Sequence, residues 1–212
     1  MKFVLLVEGY TEQKAVPGFL KRWLDPRLGH KVGIQVVRFE GWPELVKDMS
    51  DRTQMYLESP KSGEIIAVIA LLDLYGPTFY PAHLHTVEER VVWASKDLEQ
   101  RVGSKRFRVF FAVHETEAWL LSKPELFPAP IRKVLSARVQ KPETVNFDEP
   151  PAKLLQRLYE DKSFRTYKKI TDGKALFDQL DPEIVYNKCP YFQQMMDTML
   201  QLARDAEKQA LQ

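Results

Sequence analysis

The chain has 212 residues, and its 31 Lys and Arg against 29 Asp and Glu leave a formal net charge of +2. That balance excludes a polycation that binds nucleic acid over its whole surface, so any such contact must be a local patch. A hydrophobic fraction of 44% excludes disorder, and a lone cysteine, Cys189, excludes both an internal disulfide and a cysteine-rich zinc site.

The first apolar run, residues 3–7, ends at Glu8 and is too short for a signal-peptide core. The run at 65–72 has the length of a buried strand, not of a membrane span. A soluble, cytoplasmic protein with no membrane partner is expected.

Taken in chain order, residues 3–7 read as a strand. Thr11 is the expected N-cap of a helix carrying Val16, Phe19, Leu20, Trp23 and Leu24 at helical spacing, stopped by Pro26. Residues 32–39 read as a second strand. A helix with Leu45, Val46 and Met49 follows. Residues 65–72 form a third strand, apolar on both faces, and 73–81 a loop. Residues 87–102 read as a helix and 107–113 as a fourth strand. Beyond 115 the signals are helical, near 115–121, 151–160, 174–180 and 189–210, with proline-rich breaks at 124–130 and 142–151.

Strands buried on both faces and alternating with helices predict an α/β fold: a parallel sheet of about four strands flanked by helices, with right-handed crossovers. The expected division is an α/β domain at 1–122 and a mainly helical C-terminal extension at 123–212, packed on it.

Open α/β sheets bind ligands beyond the carboxyl ends of their strands. Three strands here end in acids: Glu8 and Glu12 after the first, Asp73 after the third, Glu115 and Glu117 after the fourth. Singly, each has an ordinary explanation, since negative charge is favoured at helix starts. As a set facing one crevice they repel one another, and a divalent cation with a taste for oxygen ligands, magnesium above all, removes that penalty. Other phosphate-binding and catalytic patterns are absent: no G-x-x-x-x-G-K-[ST], no G-x-G-x-x-G and no G-x-S-x-G. His83 and His85 read as surface loop, and Cys189 as a small buried residue.

Glu8-Gly9-Tyr10-Thr11-Glu12 after a first strand, with an aspartate loop after a later one, resembles the Toprim domain of topoisomerases, bacterial primases, ribosomal-RNA maturases and overcoming-lysogenization-defect (OLD) nucleases. Glu8 matches that domain's glutamate and Asp73 the first member of its Asp-x-Asp pair. Tyr75 stands at the second. A nearer resemblance is to a small stand-alone Toprim-like family without assigned function. Asp73-Leu74-Tyr75-Gly76 looks like its Asp-Leu-Tyr-Gly loop, and His114-Glu115-Thr116-Glu117-Ala118 resembles its His-Glu-x-Glu-Ala helix. Pro151-Ala152-Lys153-Leu154, then Tyr167-Lys168-Lys169 with Gly173, and Cys189-Pro190-Tyr191-Phe192 resemble its later motifs.

The resemblance implies a magnesium- or manganese-dependent site that cleaves phosphodiester bonds in DNA or RNA. Glu8 and Asp73 would hold the metal, and Glu12, Glu115 and Glu117 would complete a second site or act as base. It further implies a separately encoded ATPase as partner and a role in anti-phage defence. Phosphate also needs cations opposite the metal. Lys169 is the expected phosphate contact, and Arg106, Arg108, Lys153 and Lys168 are further basic candidates. Trp42, Trp93, Trp119 and Phe192 read as core rather than as base-stacking platforms. The alternative is a non-catalytic metal-binding or regulatory module for an ATPase.

Overall fold

The computed structural model describes residues 1–135, 137–163 and 165–210. The expected helical segment 123–212 includes positions 136, 164, 211 and 212, which lie outside them.

Four parallel strands, β1 (Lys2–Val7), β2 (Gly33–Arg38), β3 (Ile65–Asp73) and β4 (Phe107–Ala112), form one sheet in the order β2-β1-β3-β4. Their side chains explain why helices must cover both faces. Phe3, Leu5 and Val7 of β1 and Ile69 and Leu71 of β3 belong to one buried cluster, while Val4, Leu6, Val68, Ala70 and Leu72 belong to another. Alternate residues of a strand point to opposite faces, so each strand feeds two cores.

Helix α1 (Tyr10–Leu24) lies over the first face, and α2 (Trp42–Leu57) and α3 (Val87–Val102) over the second. A reciprocal capping box of Thr86 and Glu89 starts α3. The order departs from simple succession between β1 and β3, and this is the switch point at which α/β sheets open a crevice.

After β4 come α4 (Glu117–Leu121), α5 (Ala129–Arg132), α6 (Pro151–Ser163), α7 (Lys169–Gln179), α8 (Pro182–Lys188) and α9 (Pro190–Ala210). The C-terminal helices return to the first face. Phe19 of α1, Trp119 of α4, Phe177 of α7 and Phe192 of α9 meet there, with centroid separations of 4.8–6.2 Å. Trp119 and Phe192 are therefore core. Cys189 is fully buried in the same cluster. Trp42 and Trp93 flank Phe79 at the edge of the second core.

Three local expectations change. Thr11 is not an N-cap: α1 begins at Tyr10 behind Gly9, and the Thr11 hydroxyl donates instead to the Lys169 carbonyl at 3.3 Å. Asp73 is the last residue of β3 rather than a loop residue. Helix α7 starts at Lys169, five positions before Lys174: the Asp172 carboxylate accepts the Lys168 N–H at 2.7 Å, and the first turn rests on α1 through Thr11. Among the described residues no helix is long and apolar enough to cross a membrane.

Truncating a ring as large as Trp119 at the junction of α1, α4, α7 and α9 leaves a cavity. Trp119→Ala should lower unfolding stability by about 3–5 kcal/mol, read from denaturant titration. A loss under about 1 kcal/mol would mean that the cluster is not where the two parts of the chain are joined.

Candidate active site

Because all four strands run the same way, the residues after β1, β3 and β4 share one edge of the sheet. Glu8 follows β1, and its Oε1 accepts the backbone N–H of Asp73 at 2.8 Å, which ties the ends of the two switch-point strands together. The loop after β3 is held against β4's exit by Leu74 N–H to the Ala112 carbonyl at 3.0 Å and Tyr75 N–H to the His114 carbonyl at 2.9 Å.

Thr116 links the set. Its backbone N–H donates to Asp73 Oδ1 at 3.1 Å, and its hydroxyl donates to Glu12 Oε1 at 3.1 Å, with Glu117 Oε2 next at 3.5 Å. Gly9 makes room for this arrangement. A Cβ there would come within 2.8 Å of Glu12 Oε2, so the glycine lets Glu12 fold back over the turn between β1 and α1. Lys169, at the start of α7, places Nζ 3.2 Å from Glu117 Oε2 and 3.9 Å from Asp73 Oδ2.

Glu8, Glu12, Asp73, Glu117 and Lys169 are thus brought together. Glu115 is turned aside: its Oε2 accepts the Ala152 N–H at 2.8 Å, at the start of α6, where a carboxylate is favoured by free amides and the helix dipole. Lys153 reaches Tyr75, with Nζ 3.1 Å from the phenol oxygen, and so borders the aspartate loop. Lys168 is exposed. Arg106 and Arg108 do not join the site. Arg106 binds the carbonyls of Ser62, Ile65 and Ile66, and Arg108 those of Lys105 and Phe107, all at the strands' opposite end.

Residues 7–200 match the family model described as "Domain of unknown function (DUF4276)". The chain belongs to that family. The match spans every candidate residue named above. No curated protein matches the chain in sequence. Solved structures that are similar include the C-terminal region of the Burkholderia pseudomallei OLD protein, 19% identical, covering 96% of this chain and 97% of that one, with a TM-score of 0.48. Another is the C-terminal region of the Xanthomonas campestris pv. campestris OLD protein, 19% identical, covering 99% of this chain and 98% of that one, with a TM-score of 0.47. A family without assigned function is what the motifs led us to expect.

The electrostatics of this DUF4276 site follow from burial. Loss of solvent, with the neighbouring Glu12 adding to it, pushes Glu8 up to about 7. Burial likewise raises Glu117 to about 7, against the pull of Lys169. Burial raises Asp73 well above its ordinary value, against the pull of Lys169 and with Glu8, Glu12 and Glu117 adding to it. Burial works against the Lys169 ammonium, but Glu117 and Asp73 outweigh it and hold the group charged beyond its ordinary range.

Among the described residues, Glu117 Oε1 finds no hydrogen-bond partner although it is buried. The donor set is all hard oxygen, carries more negative charge than Lys169 offsets, and includes that orphaned atom. It suits magnesium or manganese chemically. Among the described residues, no three of the His, Cys, Asp and Glu side chains already converge as a cluster that could hold an ion.

Two participants escaped the sequence reading. Thr116 is a small residue between two acids, and only the fold reveals that it bonds to Asp73 at the end of β3 and to Glu12 of α1. Tyr10 is half exposed beside the site and stacks under the Arg38 guanidinium at 4.0 Å, and Arg38 in turn pairs with Glu40 at 2.7 Å.

The shifts fix a pH dependence. Glu8, Glu117 and Glu143 rise from 4.5 to about 7 on folding, and Asp73 rises too, so the folded chain holds more protons than the unfolded one in that window. His114, buried and lowered from 6.5 to about 4, opposes them with a single group. Stability without metal should therefore be greatest near pH 4.5 and fall as pH rises through 7. Melting temperatures in chelator across that range check this, and Glu117→Gln should flatten the slope. A melting temperature that rises from pH 4.5 to 7 would contradict the burial of these acids.

Proposed function

We propose that this chain is a metal-dependent nuclease that cleaves phosphodiester bonds in DNA or RNA. The observation that carries the reading is the crowding of Glu8, Glu12, Asp73 and Glu117 at the β1/β3 switch point, with Glu117 Oε1 buried and unpartnered. The Toprim-like motifs support it. Glu8 and Asp73 would hold magnesium or manganese, with Glu12 and Glu117 beside them. Bound there, the ion would supply Lewis acidity and offset the charge that builds on a phosphoryl group.

The chain's own groups have separate tasks. Lys169 is held charged by Glu117 and Asp73, and its ammonium can turn to a phosphate oxygen. Lys153 at Tyr75 can bind the next phosphate of the strand. Glu117, whose Oε1 is buried and unpartnered, is placed to take a proton from the attacking water. Glu115 positions the start of α6, and thereby Lys153. On this reading residues 1–122 and 123–212 work as one unit, since Lys169 from the second part completes the site of the first.

One observation favours a second reading. Lys169 already stands between Asp73 and Glu117 and neutralises part of the crevice without metal. A non-catalytic regulatory module that partners a separately encoded ATPase would need no more than this.

Cleavage of DNA and RNA with magnesium and manganese separates the two. Asp73→Asn keeps size and hydrogen-bonding capacity but removes a charge from the metal site. Cleavage should fall by about a hundredfold or more, while nucleic-acid affinity at fixed salt holds or rises, because repulsion of phosphate is reduced. Wild-type cleavage in Asp73→Asn would place the chemistry elsewhere.

A further inference from the structure

Away from the carboxylates lies a cavity of about 830 Å³, between the start of α3, the segment 140–147 and the junction of α8 and α9. Its size is that of a small-molecule site. None of Glu8, Glu12, Asp73, Glu117 and Lys169 lines it.

Its lining selects a class of ligand. Phe147 and Tyr191, both partly exposed, supply flat apolar surface, and the buried His114 ring backs Phe147 edge to face at 4.3 Å. His114 Nδ1 is buried without a hydrogen-bond partner. Several charges on the wall are already engaged. Glu143 accepts the N–H groups of Tyr191 and Phe192 at 3.1 and 3.4 Å, and Lys188 donates to the Ser122 carbonyl at 2.7 Å. Lys141 and Glu88 carry opposite charges, and the Arg90 guanidinium, 4.6 Å from the Phe147 ring centroid, donates to the Leu84 carbonyl at 3.1 Å. What remains is amide: Asn187 and Gln140, both exposed at the rim, each with a donor and an acceptor. A flat, neutral, hydrogen-bonding heterocycle fits such a wall.

The cavity also adjoins the carboxylate site through its back wall. The Phe147 ring is 6.4 Å from that of Tyr75, and the His114 carbonyl accepts the Tyr75 N–H, two residues past Asp73. A strand whose phosphate lies at the carboxylates could therefore set a neighbouring base against Phe147. We infer that this cavity is a nucleobase pocket for an unpaired nucleotide flanking the cleaved bond. The inference rests on the nuclease reading for its role, though not for its chemistry. Aromatic walls with amide readers are how extruded or single-stranded bases are held.

The test is calorimetric titration of the full chain, in chelator, with each common nucleoside 5′-monophosphate and with ribose 5-phosphate. At least one nucleotide should bind saturably, and ribose 5-phosphate at least about tenfold more weakly. Asn187→Ala, which removes an amide, and Gln140→Trp, which adds bulk at the rim, should each weaken nucleotide binding about tenfold. Both positions are exposed, so the variants should fold, and circular dichroism checks that they do. No nucleotide binding, equal binding of ribose 5-phosphate, or binding indifferent to both cavity substitutions would overturn the pocket. Cleavage without nucleotide binding would remove the pocket and leave the nuclease. Nucleotide binding without cleavage by any form of the chain would do the reverse.

Discussion

Four buried or half-buried carboxylates, Glu8, Glu12, Asp73 and Glu117, share the one ammonium group of Lys169. Two unit charges about 4 Å apart interact by about 4 kcal/mol at an effective dielectric constant of about 20. One cation cannot offset that many like charges, and burial above all pushes Glu8 and Glu117 up to about 7, so that protons make up part of the difference. A divalent ion is the other way to balance the site.

The rest of the architecture holds this imbalance in place. The parallel sheet sends the ends of β1, β3 and β4 to one edge, and Glu8 and Thr116 tie those ends together through hydrogen bonds to Asp73. Helix α7 brings Lys169 in from far along the chain. Its approach to α1 is close: a Cβ on Gly173 would stand 3.2 Å from the Tyr167 hydroxyl and 3.3 Å from Thr11 Cγ2. The aromatic junction around Trp119 fixes α1, α4 and α7 relative to one another, and so fixes Glu12, Glu117 and Lys169. Core packing and site geometry are the same constraint seen from two ends.

The sheet was legible because its signal is local. Residues 65–72 are apolar on both faces, and only a strand covered on both sides needs that pattern. Glu8 and Asp73 were legible because a charge directly after such a run needs a reason. Partnerships across the chain were not. Glu115 looks like its neighbour Glu117, yet its carboxylate serves an amide 37 residues away. Arg106 and Arg108 resemble phosphate ligands by charge alone, but they flank the beginning of β4, whereas the crevice lies beyond its end. The start of α7 at Lys169 is marked locally by Asp172 alone, whose carboxylate accepts the Lys168 N–H at 2.7 Å, and a single acid after a basic pair is a weak signal beside the apolar spacing that begins later.

The account stands on a divalent ion belonging between the ends of β1 and β3. Crystals grown with manganese and measured for its anomalous scattering test this directly. The expected result is a peak bounded by Glu8 and Asp73 oxygens, with Lys169 Nζ displaced from its place between Asp73 and Glu117. A map without a peak there at saturating manganese, with Lys169 still paired to Glu117, would contradict it.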